Sequence, residues 1–168
     1  MATKRSTLDL ALMLPSWELH LRAERKSPAT VKSHGDGVRA FLAWCAENGH
    51  RPALEKPLVN GFTAGLLDAG REASTVRSRQ LGLRRFSAWL VEEGELPSDP
   101  LLGLKAPKLD SKVIEPLTDD QLKALIKACT GPGLRERRDE AIVRLMVETG
   151  LRAGECVSIE MGDIDLVT

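Results

Sequence analysis

The run Glu148-Thr149-Gly150-Leu151-Arg152-Ala153-Gly154-Glu155 and the short signature Asp163-Ile164-Asp165 are the residues best suited to chemistry in this chain. The spacing predicts a helix stopped by Gly150, an exposed Arg152 on the turn, and Glu155 three positions on, on the next helix. A guanidinium presents a planar fork of donors that stays charged at any cellular pH, which suits an oxyanion or the charge that develops on a phosphodiester under attack. Glu155 is at helical distance to orient it. Taken alone, the same two residues read as an ordinary surface ion pair worth well under about 1 kcal/mol.

These residues need a scaffold, and the chain is long enough to supply one. It has 168 residues, of which 42% are hydrophobic, so a real core is expected. The formal net charge is zero, but it is unevenly placed. Residues 1 to 108 hold 16 Lys+Arg against 12 Asp+Glu, net +4, and residues 109 to 168 hold 8 against 12, net −4. A bias of that size is commonly only solvated surface. Cys45, Cys129 and Cys156 form no C-x-x-C pair, which suggests neither a zinc site nor a disulfide framework and fits a reducing, cytoplasmic setting. The N-terminal MATKRST lacks the apolar run of a signal peptide, and no stretch approaches the roughly 20 apolar residues that span a bilayer, so no membrane partner is expected.

An internal repeat organises the first half. TVKSHGDGVRAFLAWCAENG, residues 30 to 49, aligns without gaps to TVRSRQLGLRRFSAWLVEEG, residues 75 to 94, with ten of twenty positions identical. Val31, Val38, Phe41 and Cys45 in one copy, and Val76, Leu83, Phe86 and Leu90 in the other, recur at helical spacing and mark two equivalent buried stripes. Ser27-Pro28 supplies an N-cap and a first-turn proline, and Gly49 and Gly94 lie where C-terminal caps belong. Leu8 to about Glu24 is expected as a helix with Leu8, Leu12, Trp17 and Leu21 inward, started or kinked by Pro15. Val59, Phe62, Leu66 and Leu67 predict a shorter helix ending at Gly70. Trp17, Trp44 and Trp89 read as core residues.

Residues 95 to 115, with Pro97, Pro100 and Pro107 among Lys105, Lys108 and Lys112, read as a linker. Thr118 is an N-cap for a helix from Asp119 to Ala128, and a second helix is expected from Leu134 to Thr149 with Ile142, Leu145 and Met146 inward and Gly150 as its cap. A short helix from Gly154 to Met161 and a strand opening at Ile164 to Val167 complete the reading.

In this setting the TGLRAGE and DID signatures resemble the first active-site segment of the tyrosine recombinases, the phage integrase family. The Phe41-Leu-Ala-Trp44 and Phe86-Ser-Ala-Trp89 repeat is similar to the paired helices of their core-binding domain. Asp99-Pro100, Lys105, Pro107-Lys108 and Leu117-Thr118 resemble the family's linker, and Arg138-Asp139-Glu140-Ala141-Ile142 its helix before the first catalytic arginine. The resemblance implies a mainly α chain: a four-helix, SAM-like, DNA-binding core-binding domain at 8 to 94, a linker at 95 to 115, and a truncated, mostly helical start of the catalytic domain at 116 to 168. It implies that Arg152 holds a non-bridging oxygen of the scissile phosphate, with Glu155 in support. It also implies that Lys32, His34, Arg39, Arg77, Arg79, Arg84 and Arg85 face double-stranded DNA, and that other recombinase protomers are partners. Neither a metal nor another cofactor is implied.

Family members complete the site with a lysine on a hairpin, a His-x-x-Arg segment and a tyrosine nucleophile. Here there is no tyrosine, and His20, His34 and His50 all lie in the first half. The expectation is therefore DNA binding without strand transfer by this polypeptide alone. Two other readings stand beside it: a subunit that lends Arg152 to a site completed by another chain, and a helical module that docks on an intact recombinase. The segment from Pro116 is expected to leave apolar side chains partly uncovered and to be the protease-sensitive part.

Overall fold

The computed structural model describes residues 8–109 and 114–164, which fall into two units divided near Ser111 and Lys112. In the first, α1 (Leu10–Ala23), α2 (Pro28–Glu47), α3 (Lys56–Asp68) and α4 (Ala73–Glu92) form a four-helix bundle. In the second, α5 (Asp119–Cys129), α6 (Leu134–Thr149) and α7 (Ala153–Cys156) precede a short 3-10 helix, Met161–Asp163. The described residues contain helices and no strands.

The boundaries follow local chemistry. Ser27 Oγ accepts from the amide of Thr30 ahead of Pro28, and α2 starts there. Gly49, Gly70 and Gly94 close α2, α3 and α4 at φ of +67°, +74° and +77°, a left-handed conformation that side chains with a Cβ disfavour. Pro15 does not break α1: it sits on the exposed face, where the Ala11 carbonyl it leaves without a donor also faces water. The inward stripe of α1 is Leu10, Leu14, Trp17 and Leu21, so Leu8 and Leu12 correct the expectation; Leu12 is 75% exposed. With seven leucines or methionines crowded between positions 8 and 14 and at 19 and 21, more than one stripe satisfies helical spacing, and packing decides between them.

An offset of 45 residues carries α2 onto α4 end for end and α1 onto α3 to within one residue. The bundle is thus a duplicated helical hairpin. Trp17 and Phe62 are equivalents, and so are Phe86 and Phe41. The rings pair accordingly, with centroids 5.0 Å apart for Trp17 and Phe86 and 5.5 Å for Phe41 and Phe62. The two long helices cross at glycines: a Cβ on Gly37 would stand 2.6 Å from the Arg79 carbonyl oxygen, and one on Gly82 would stand 2.6 Å from that of His34. His34 and Arg79 are themselves equivalents. On the axis between the helices, the hydroxyls of Ser33 and Ser78 lie 3.1 Å apart. Val38, Phe41, Cys45, Val76, Leu83, Phe86 and Leu90 are buried as their stripes predict, whereas Val31, at the start of the α2 stripe, is only half-buried against the core. Of the tryptophans, Trp17 and Trp89 are buried and Trp44 is half-buried against the core.

The proline-rich stretch after α4 is not free along its whole length. Leu101 is fully buried and Leu104 nearly so, both within the bundle's core. The Asp99 carboxylate accepts from the buried Ser87 hydroxyl and from the Leu101 amide, and Gln80 Nε2 donates to the Lys105 carbonyl at 3.2 Å. Residues 99 to 105 are thereby strapped to α4. Prolines stop helix formation there, but they do not prevent leucines from packing.

In the second unit, Thr118 and Gln121 form a reciprocal capping box at the start of α5. Helix α6 runs over the expected residues and ends at Gly150, φ +71°. None of the described side chains of this unit is fully buried; Ile142, Leu145, Met146 and Ile159 are half-covered. The helix expected over Gly154 to Met161 is shorter, because Ser158 Oγ donates to the Glu155 carbonyl and competes with the next helical turn. Of the expected strand, Asp165 to Val167 lie outside the described residues, as does the last residue of the DID signature.

Candidate nucleic-acid interface and the Arg152 turn

The turn that carries Arg152 is built from the end of α6. The Gly150 amide donates to the Met146 carbonyl at 2.9 Å, and the Thr149 hydroxyl donates to Leu145 while accepting from the Leu151 amide. Arg152 then stands at the start of α7 with its amide donating to Glu155 Oε2 at 2.8 Å and its Nη1 donating to Glu155 Oε1 at 3.1 Å. Glu155 therefore caps the helix and holds the guanidinium with the same carboxylate. The Arg152 side chain is 86% exposed, so the fork is open to an incoming anion on its remaining donors. Asp163 closes the next turn by accepting from the Glu160 amide.

In the bundle, the seven cations and imidazoles proposed from the sequence fall into different surroundings. Lys32 is exposed and bound to Asp36 Oδ2 at 2.7 Å. Arg39 reaches Glu18 Oε1 on α1 at 2.6 Å and Asp36 Oδ1 at 3.2 Å. The hydrogen bond from Lys32 chiefly holds the Asp36 carboxyl below its usual range, against an opposing effect of burial and with help from the bond to Arg39. The bond to Glu18 chiefly raises the Arg39 pKa. His34 is half-buried, its ring stacked 6.2 Å from that of Trp17 at an interplanar angle of 9°, and its Nδ1 has no partner among the described residues. Burial first, then the charges of Arg85 and Lys26, depress its pKa, so it is a neutral packing group at physiological pH. On α4, Arg77 and Arg85 are exposed and Arg79 and Arg84 half-exposed, and among the described residues no ion pair engages any of the four.

The structure thus gathers the α4 cations on one helix, engages those of α2 with carboxylates, and turns His34 inward. Lys105, which the linker reading did not single out for contact with DNA, is brought to α4 by the Gln80 bond and stays exposed. No local motif announces that placement; the only signal is the pair of leucines at 101 and 104, spaced to dock.

Comparison with known proteins matches the same two segments. The "Phage integrase, N-terminal SAM-like domain" matches residues 14–94, and the "Phage integrase family" domain matches residues 115–168. Tyrosine recombinase XerC of Pseudomonas fluorescens is 28% identical over 150 residues, covering 88% of this chain and 50% of the relative. The XerC of Pseudomonas savastanoi pv. phaseolicola is 28% identical over 156 residues, covering 91% and 52%. Tyrosine recombinase XerD of Neisseria meningitidis is 36% identical over 63 residues, covering 38% and 22%. The four-helix bundle is thus a SAM-like domain, and the unit that carries the Arg152 turn falls within the segment matched by the phage integrase family. The chain belongs to the phage integrase family, the tyrosine recombinases. It spans about half the length of the curated relatives it matches. Among the described residues no helix is long and apolar enough to cross a membrane.

Proposed function

We propose that these 168 residues bind duplex DNA as the clasping part of a site-specific tyrosine recombinase, with α4 as the principal contact and Arg152 directed to the phosphodiester that is cut. The observation that carries the reading is the set of four arginines on α4, Arg77, Arg79, Arg84 and Arg85, none of which forms an ion pair among the described residues, on a helix within the segment that the phage-integrase N-terminal SAM-like domain matches. Their contacts are mainly to phosphates, which fix position on the duplex rather than sequence. At Arg152, the free donors of the guanidinium hold a non-bridging oxygen as negative charge builds on it, while Glu155 fixes the fork's orientation. Loss of one such donor costs on the order of 100- to 1000-fold in rate.

The covalent step in this family needs a tyrosine, and none is present among these residues. On this reading they bind DNA and form no phosphotyrosyl link by themselves, with other recombinase protomers as their partners. Binding to a mixed-sequence duplex is measured over a salt series. Four phosphate contacts give a slope of log K against log salt of about −3.6. A salt-independent or absent interaction refutes the DNA reading, and a covalent adduct with a suicide substrate refutes the division of labour.

A further inference from the structure

The duplication allows each half of the clasp to be read against the other, position by position. Lys32 is equivalent to Arg77 and Arg39 to Arg84, so both long helices carry the same two cations. Their neighbours differ. Asp36, which binds both Lys32 and Arg39, has Leu81 as its equivalent, and Glu18, the second partner of Arg39, has Thr63. The four groups of the first half sum to zero charge, and those of the second half to +2.

We propose that Asp36 and Glu18 set the polarity of the clasp: they mute the α2 half of a pseudo-two-fold DNA-binding unit so that it engages the duplex through α4. This rests on the DNA-binding reading above. A pseudo-symmetric unit with equal charge on both halves presents nearly the same surface to DNA in two orientations related by its axis, just as a two-fold protein matches a two-fold site. A specific recombinase domain must distinguish those orientations. Neutralising one half does so without disturbing the backbone that the duplication supplies.

The muting does not depend on the ion pairs staying closed. Each pair is exposed and individually weak, and DNA can draw Lys32 or Arg39 away from its carboxylate. The carboxylates then remain, ionised, a few ångströms from the phosphates that replaced them, and like charges at that range oppose the contact. The equivalent positions on the other half offer only the apolar Leu81 and the Thr63 hydroxyl, which donates to the Val59 carbonyl within its own helix.

The repeat itself specifies the test. Asp36→Leu with Glu18→Thr gives the first half the residues of the second at these two positions, and Asp36→Asn removes the charge while keeping size and hydrogen bonding. Binding of the full chain to one mixed-sequence duplex is measured across salt, with tryptophan fluorescence melting to confirm the fold. The double variant frees two cations and makes the salt slope steeper by up to about 1.8, so its gain in affinity over the wild type shrinks about tenfold between about 50 and 200 mM salt. Asp36→Asn gives about half that change or more. In the wild type, Arg77→Ala and Arg84→Ala each flatten the slope by about 0.9, whereas Lys32→Ala and Arg39→Ala leave it nearly unchanged. Folded Asp36→Leu/Glu18→Thr and Asp36→Asn variants with the wild-type slope overturn the proposal, and so do Lys32→Ala and Arg39→Ala effects equal to those on α4. A wild type with no salt-dependent binding refutes the DNA reading instead, so the two failures are distinct.

Discussion

Leu101→Ala offers the sharpest test of the strap. If residues 95 to 115 were a solvated linker throughout, the substitution would fall among surface changes, within about 0.5 kcal/mol of neutral. In the structure Leu101 is fully buried, flanked by the Asp99 cap on its amide and by Leu104, and lies in one core with Trp17, Phe86 and Leu90. Truncating a buried leucine removes its transfer free energy and leaves a cavity, at a cost of about 2–5 kcal/mol. Taking about 3 kcal/mol, and about 4–8 °C per kcal/mol for a unit of roughly 100 residues, the melting temperature drops by about 12–24 °C. All three tryptophans, at 17, 44 and 89, lie in this unit, so their fluorescence reports its unfolding separately from the second unit. Leu102, next in sequence and 73% exposed, is the control. Leu102→Ala leaves the transition within about 0.5 kcal/mol of wild type. Equal transitions for Leu101→Ala and Leu102→Ala would refute the strap.

Gly82→Ala drives a methyl into the His34 carbonyl at the helix crossing and destabilises the bundle by about 1–3 kcal/mol, whereas Gly61→Ala, whose methyl meets only the Trp44 ring at 3.4 Å, gains up to about 1 kcal/mol; chemical denaturation with the same fluorescence compares them. For His34 the depressed folded pKa means the unfolded chain binds the proton more readily, so its contribution to stability is present above the ordinary imidazole value of 6.5 and is lost as pH falls from there through the folded pKa. Stability measured between pH 7.5 and about 5 therefore falls more steeply in the wild type than in His34→Gln, and parallel curves would contradict this. Glu155→Ala removes the partner of both the Arg152 amide and guanidinium; hydrogen exchange at the Arg152 amide accelerates while the bundle's melting is unchanged, and an unaltered exchange rate would count against the cap.

Elements with a chemical stop at each end were legible from the residues. The Thr118 cap, the Ser27-Pro28 start and Gly150 delimit α5, α2 and α6 within a residue or so. Such signals act within four residues of their own position and need no tertiary partner. Where the outcome depended on a distant surface, the sequence underdetermined it. The face of α1 was ambiguous because leucines ring it. The strap was hidden because the partners of Asp99 and Lys105, at Ser87 and Gln80, are 12 and 25 residues away. Among candidate DNA contacts, charge pattern placed Arg39 and Arg84 alike; two carboxylates separate their states, Asp36 three residues from Arg39 and Glu18 21 residues away, and only the second needs the folded chain to be seen.

The repeat itself shows why one half of the duplication stayed visible and the other did not. Between α2 and α4 nine of twenty aligned positions are identical, but between α1 and α3 the equivalent positions share only Leu21 and Leu66. The long helices cross on the pseudo-two-fold axis, so a residue near the axis meets its own counterpart or a close neighbour of it. Ser33 meets Ser78, while Gly37 and Gly82 each meet the backbone of the opposite copy. A change in one copy there requires a matching change in the other, which ties the two sequences together. Helices α1 and α3 lie off the axis and see different surroundings: Trp44 lies against Gly61 and Gly65, while their equivalents Ser16 and His20 leave Trp89 facing an imidazole ring 6.1 Å away. With no shared neighbour to enforce likeness, the outer helices diverged in sequence while keeping their length and their large inward aromatic at positions 17 and 62. The same freedom is what allowed Glu18, on α1, to acquire a role in polarity that Thr63 on α3 does not share.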